Sequence, residues 1–561
     1  MTQSTRTVLV QQFLQARAEI VDAWHVLRHR GPSQVQFWFI ALAIGIAAGL
    51  AAVTFRKGIN ALQSVLYGNE DVRFLHSHAA NLPWYWLLVI PIIGGLVVGL
   101  ILHKTTPDGR VRSVADVIEG AALTDGRVET RAGIGSMLAS LVTLSSGGSS
   151  GREGPVVHLA GVISTWVCQR INADGITGRD LLGCAVAAAV SASFNAPIAG
   201  ALFALEVVLR HFAVHAFAPI VIASIAGTVI NRLDRGDVTE FILNTPGALQ
   251  FYVELPAFLL LGLVCGLVSL LMMRSVFLAE DLGTHVQNRL RMPRWLRPAV
   301  SGALLGLLAI WFPHIIGVGY ETTLLALSGE LALGTAILFA VIKTVALALT
   351  MGGRMGGGVF SPSLMIGALT GLAFGLIATR MLPDVSGTHV LYAFAGMGAV
   401  AAAVLGAPIS TTMIVFELTG DWQIGLAVMA SVSMSTALAS RLVDRSFFLT
   451  QLERRDVHLA AGPQAYLLAM LRAGAVMRPL GDPRCLDRAG CEALIAEGVC
   501  VPASATLEAA MPWFDRDEHA CIPVVVREKD GSETPVGALY HIDALKAYNR
   551  ALAATAAEEH S

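Results

Sequence analysis

Charge is what this sequence has least of. Only 14% of its 561 residues are Asp, Glu, Lys or Arg, against 54% that are hydrophobic; soluble globular chains carry about 25% charged residues. With 39 basic and 41 acidic residues the net charge is -2, which offers no basic face to nucleic acid. Cysteine is scarce too. Its seven copies are scattered and never spaced as C-x₂-C, which argues against a disulfide framework or a zinc module and leaves reduced thiols and no metal site as the expectation. No cleavable signal is expected in Met1 to Pro32, which is polar and charged ahead of the first apolar run. Residues 1–34, with Arg17, Arg28 and Arg30, read as a cytoplasmic helix lying before the membrane.

What is present is hydrophobicity, with a mean hydropathy of +0.63. Apolar stretches follow one another from about 36–66 to 423–443. Several are shorter than the ~20 residues a helix needs to cross the hydrocarbon core. Short segments interrupted by Gly and Pro, in matching places of two halves, mark a transporter with its site at the breaks. Two such breaks stand out. Gly148-Ser149-Ser150-Gly151-Arg152-Glu153-Gly154-Pro155 lies between long apolar stretches, and Gly356-Gly357-Gly358-Val359-Phe360-Ser361-Pro362 repeats its pattern later. Glycines leave N–H groups exposed in a nest for an anion, and a proline suits the first turn of a helix whose positive end faces back at the loop. Two such ends at membrane depth can hold an anion without a full positive charge, and Glu153 puts a carboxylate in the same place.

The internal repeat is explicit. Residues 195–206 and 406–417 share Ala-Pro-Ile and a terminal glutamate at a constant offset of 406 − 195 = 211, and each follows an alanine-rich segment suited to close packing. Glu206 and Glu417 therefore read as structural, capping or pairing inside the bundle. After about residue 455 charge returns and the apolar runs shorten to strand length, as in Ala520–Val526 and Pro535–Tyr540, with helices after Thr506 and from Asp543. The expected architecture is an all-α polytopic membrane domain over 35–455, with repeat halves of about 35–235 and 255–455, followed by a small α/β domain over 456–561.

These motifs resemble the CLC family of chloride channels and chloride/proton exchangers over essentially all of 35–458. Gly151-Arg152-Glu153-Gly154-Pro155 matches that family's gating-glutamate motif, and Gly358-Val359-Phe360-Ser361-Pro362 its G-x-F-x-P motif. Arg112-Ser113, ahead of Ile118-Glu119-Gly120-Ala121, occupies the place of its central-serine motif. The resemblance implies an inverted-repeat helical bundle, a homodimer with one anion pathway per subunit, and chloride as the bound substrate with no cofactor and no enzymatic activity. It assigns anion binding to Ser113 and to the backbone around Gly151, Arg152, Gly154, Gly358, Val359 and Phe360, and gating and proton carriage to Glu153.

Three departures qualify that assignment. The serine motif usually reads G-S-G-I-P, whereas Arg112-Ser113-Val114-Ala115-Asp116 lacks both glycines and the proline, so Ser113 reads either as an anion ligand or as a helix cap facing water. The family's tyrosine falls on Phe448, or on Phe447 in a shifted alignment, and neither has a hydroxyl. The internal proton glutamate aligns with Val207, which cannot carry a proton. That substitution favours a passive, voltage- or pH-dependent channel over an antiporter. The tail resembles a CBS module with a degenerate first copy. Asp543 stands at the ribose-binding position but Tyr540 replaces the hydroxyl residue, so adenine-nucleotide binding is only weakly supported.

Two other function classes are open to a reader of the sequence. Gly148-Ser149-Ser150-Gly151 fits a serine-protease nucleophile, but His158, His215 and His314 are not clearly placed to serve it. A cation transporter would need carboxylates facing the cavity, where these breaks supply N–H dipoles. Arg441, Arg445, Arg454 and Arg455 near the last apolar stretch predict a cytoplasmic C-terminus, both termini are expected on that side, and the chain reads as a bacterial inner-membrane protein.

Overall fold

The computed structural model describes residues 34–68, 74–212, 214–236, 251–383, 386–443, 445–457, 459, 467–468, 471–516, 520–527 and 533–559. The helix expected ahead of the membrane falls outside them. The chain divides into two compact units, one of residues through 118 together with 126–455, the other of 119–125 together with those from 456 onward.

The larger unit is helical throughout. Its first half holds α1 (Gln34–Tyr67), α2 (Leu75–Ala79), α3 (Trp84–Thr105), the first half of α4 (Val114–Leu123, whose residues 119–123 belong to the other unit), α5 (Thr130–Ser145), α6 (Glu153–Ile171), α7 (Gly175–Phe194), α8 (Pro197–Phe203) and α9 (Val214–Arg235). The second half holds α10 (Phe251–Arg289), α11 (Arg297–Trp311), α12 (Tyr320–Leu327), α13 (Leu333–Gly352), α14 (Phe360–Met381), α15 (His389–Leu405), α16 (Pro408–Thr419), α17 (Trp422–Leu442) and α18 (Phe447–Glu453). In chain order α1 and α3–α9 correspond to α10–α17. Among the described residues seven helices are long and apolar enough to cross a membrane. Leu50, Ile93, Leu271, Leu278 and Trp311 point outward as a lipid-facing surface should, and Trp84, Tyr85 and Trp86 are exposed together at one end of α3.

The centre of this unit is α7 and α15, both almost wholly buried. Small residues let their neighbours approach: a Cβ on Gly371 of α14 would lie 2.0 Å from the Tyr392 carbonyl oxygen of α15. Both central helices end the same way, with Asn195 at φ 57° and Gly406 at φ 68° in the left-handed conformation. Asn and Gly are the residues that tolerate this C-terminal cap, which is why they alternate at matching positions of the repeat. Pro197 and Pro408 then start α8 and α16.

The glutamates at the ends of the repeated segments close a reciprocal arrangement. Glu206 accepts the Ile409 and Ser410 N–H groups at 2.9 and 2.7 Å, capping α16. Glu417 accepts those of Ile198 and Ala199 at 3.0 and 2.8 Å, capping α8. Each half thus caps a helix of the other, as an approximate two-fold axis requires.

The smaller unit carries β1 (Arg478–Pro479), β2 (Val501–Pro502), β3 (Cys521–Arg527) and β4 (Glu533–Tyr540) in the order β1-β4-β3-β2. β2 and β3 pair in parallel and the other pairs are antiparallel. Helices α19 (Ala473–Val476), α20 (Arg488–Ala496), α21 (Leu507–Arg516) and α22 (His541–Glu559) accompany this sheet, and Val501, Leu507, Ile522, Val524, Leu539 and Ala544 form a core of its own. Strands β3 and β4 fall on the apolar runs 520–526 and 535–540, whereas β1 lies in a stretch where the sequence suggested no strand. The helix α20 was not expected either, because its segment was too irregular in sequence to read.

Candidate anion pathway

The two glycine-rich breaks meet. Gly151 donates its N–H to the Gly358 carbonyl at 2.7 Å, and Gly358 returns the bond to the Gly151 carbonyl at 2.8 Å. This single antiparallel bridge joins the loop before α6 to the loop before α14. The bridge is tight because its residues lack side chains: a Cβ on Gly154 would stand 3.3 Å from Gly358 Cα. Buried hydroxyls complete the loops. Thr143 accepts the Gly356 N–H at 2.9 Å, Thr350 accepts the Ser149 N–H at 3.0 Å, and Ser150 donates to the Gly356 carbonyl at 3.0 Å. Ser150 is therefore engaged in holding the second loop, which removes the geometric case for a protease nucleophile.

Both helices start at this junction with their positive ends toward a small cavity. One wall is Glu153, Gly154 and Val157 of α6; another is Gly357, Gly358, Val359 and Phe360 at the start of α14. Ser113 and Val114 of α4 and Phe447 and Phe448 of α18 form further walls, with Val190, Phe203 and Met351 between them. The N–H groups of Val359 and Phe360 make no hydrogen bond among the described residues, as expected in the first turn of a helix. Phe360 packs against Phe194 and Phe203 with ring centroids 4.8 and 5.8 Å away, giving these donors an apolar setting. Two unpaired N–H dipoles and a serine hydroxyl, with no side-chain cation among the described lining residues, suit a small monovalent anion that must leave again.

Glu153 is the acidic residue in that lining. It is 2% exposed, and its Oε1 accepts the Ser361 hydroxyl at 2.6 Å. A carboxylate held here lies among the groups that would hold an anion. Of the residues assigned from sequence, Ser113, Glu153, Gly154, Gly358, Val359, Phe360 and Phe448 converge on this cavity, and Phe447 lines it as well. Gly151 contributes through the bridge instead. Arg152 approaches Glu153 Oε1 at 3.9 Å, but its guanidinium donates to the Ser193 carbonyl and lies 5.1 Å from the Tyr320 ring centroid. Val207 sits in a π turn over Ala204–Leu209 that continues α8 and does not line the cavity. Ser361 escaped the sequence reading although it lies inside a quoted motif; nothing in one sequence tells that its hydroxyl meets Glu153 across 208 residues.

In the smaller unit Asp543 Oδ2 accepts the Arg478 guanidinium at 2.6 Å, and Arg478 also lies 4.1 Å from the Tyr540 ring centroid. The hydrogen bond to Asp543 holds the Arg478 guanidinium above its ordinary pKa. The carboxylate expected at a ribose is thus already paired.

Comparison with known proteins follows the same lines. Residues 94–440 match the voltage gated chloride channel family. The chain belongs to this CLC family. A ClcB-like protein of Ralstonia nicotianae is 31% identical over 396 residues, covering 70% of this chain and 90% of the relative. The voltage-gated ClC-type chloride channel ClcB of Escherichia coli O81 is 32% identical over 393 residues, 69% of this chain and 91% of that one. Among solved structures, a slow cyanobacterial Cl⁻/H⁺ antiporter superposes with a TM-score of 0.67 at 20% identity, over 76% of this chain and 98% of the other. At that identity the likeness establishes the fold. CLC proteins are transporters and channels rather than enzymes, and the chain is a multi-pass membrane protein of that kind.

Proposed function

We propose that this chain conducts chloride passively through the cavity at the Gly151–Gly358 bridge, with Glu153 as its gate. The observation that carries the reading is the position of Glu153: a buried carboxylate, bonded to Ser361, among the unpaired N–H groups that would bind the anion. While ionised it occupies the anion's place. Once protonated it no longer competes, so acid opens the path. Passive conduction is supported by Val207, which is apolar and packed at 5% exposure, while the neighbouring Glu206 carboxylate is committed to the α16 cap.

The second reading is chloride/proton exchange. It is favoured by one feature, that the gate is itself a proton-binding group inside the pathway. The functional unit is a homodimer with one pathway per subunit, in a bacterial plasma membrane with cytoplasmic termini. Arg441, Arg445, Arg454 and Arg455 support that orientation, since basic residues gather on the cytoplasmic side. The tail is a CBS-like module that stabilises or dimerises the protein rather than binding nucleotide.

The deciding experiment records chloride efflux and external pH together from proteoliposomes under a valinomycin-set potential. Chloride movement without coupled protons supports the channel. Proton uptake against its gradient, driven only by chloride, supports exchange. Absence of chloride flux contradicts both.

A further inference from the structure

Asp116 stands where the family's serine motif has proline, and the structure shows what it does there. Ser113 precedes α4 as its N-cap and Asp116 is the third residue of the helix. The Asp116 carboxylate reaches back to accept the Ser113 N–H through Oδ2 at 2.7 Å. This is one half of a capping box. The usual other half, in which the serine hydroxyl bonds back into the first turn, is missing: the Ser113 hydroxyl makes no hydrogen bond among the described residues, and Ser113 lines the cavity. The carboxylate therefore caps the helix and leaves the hydroxyl available.

The second oxygen of Asp116 points elsewhere. Oδ1 accepts Arg455 Nη1 at 2.9 Å, with Arg112 Nε at 3.7 Å. The Asp116 and Arg455 side chains are 11% and 15% exposed, a shielded pair rather than a solvated one. Arg112 is shared with Asp108 at 2.9 Å and Glu129 at 3.1 Å, and among the described residues Arg455 is the nearest cation to Asp116. Arg455 follows α18, the short helix whose Phe447 and Phe448 form another wall of the cavity. One carboxylate thus joins the serine wall to the phenylalanine wall.

We infer that Asp116 is a positioning and specificity-determining residue: it presents the Ser113 hydroxyl to the anion and, through Arg455, fixes the spacing between α4 and α18. It does in this chain what the glycine–proline turn does in the usual motif. This inference rests on reading the cavity as an anion pathway.

The test uses the full chain in liposomes, with chloride and the larger nitrate as probes, and the variants Asp116→Asn, Arg455→Gln and Arg455→Lys. Asn at 116 keeps an acceptor for the Ser113 N–H and removes only the charge that holds Arg455. A strut predicts that Asp116→Asn and Arg455→Gln shift in the same direction, each raising the nitrate-to-chloride flux ratio and the chloride KM several-fold, with Arg455→Lys restoring most of the difference. Two independent charges at the mouth predict the opposite: losing the carboxylate favours anion entry and losing the guanidinium disfavours it, so opposed shifts, or none, overturn the inference. A double-variant cycle on thermal unfolding in detergent reads the pair without any flux. Non-additive midpoint shifts support the strut and additive shifts overturn it. An absence of wild-type chloride flux would sink the pathway reading while leaving that cycle to decide the pair.

Discussion

Gly357 takes a φ of +124°, and a Cβ there would stand 2.0 Å from the Ser150 hydroxyl oxygen. The residue beside it forms the bridge to Gly151, so a side chain at 357 must push the two loops apart. Replacing Gly357 by alanine is expected to cost about 3 kcal/mol or more and to abolish chloride flux. Gly334 is the control. It lies in α13 with nothing within 4 Å of a Cβ, and alanine there should be neutral or stabilising by about 0.5–1 kcal/mol. Thermal unfolding in detergent checks both. Much of the site was legible at this scale, because glycine and proline report backbone requirements directly. Ser361 and Asp116 were not, since a hydroxyl or carboxylate declares its partner only after folding. Ser113 shows the same limit: the sequence left it as ligand or cap, and the structure makes it the capped residue of α4 while it also lines the cavity.

The reciprocal caps are the device that most depends on whole helices. Glu206 and Glu417 each satisfy two N–H groups at the start of a helix in the other half. Removing such a cap costs about 1–2 kcal/mol. Glu206→Ala and Glu417→Ala should each lower stability by that order, with little change in anion selectivity, as neither residue lines the cavity. A large selectivity change with unaltered thermal stability would contradict a purely structural role. The constant offset of 211 made the repeated elements readable, because the same capping, turn and packing needs recur at the same spacing. The π turn over Ala204–Leu209 was not readable. Nothing in Ala-Leu-Glu-Val-Val-Leu distinguishes it from an ordinary helix, and tertiary packing decides its winding.

For the molecule as a whole, hydropathy pointed to a membrane unit and the return of charge after about residue 455 to a second one. The segment between 456 and 499 was the least legible, since β1 is two residues long and depends on pairing with β4 far along the chain. In that unit the Arg478–Asp543 pair predicts that millimolar ATP leaves the thermal midpoint of the full protein unchanged. A rise of several degrees would show that the pair opens for nucleotide.

The account turns on Glu153 closing the path while ionised, and one comparison tests that most directly: initial chloride efflux from liposomes carrying wild-type protein or Glu153→Gln, measured across pH 4.5 to 7.5. Glutamine copies the protonated carboxyl in shape and cannot ionise. The wild type is predicted to accelerate as pH falls, while Glu153→Gln runs at the fast rate throughout. A wild-type rate that is flat with pH, or a Glu153→Gln rate that keeps the wild-type pH dependence, would contradict the gate.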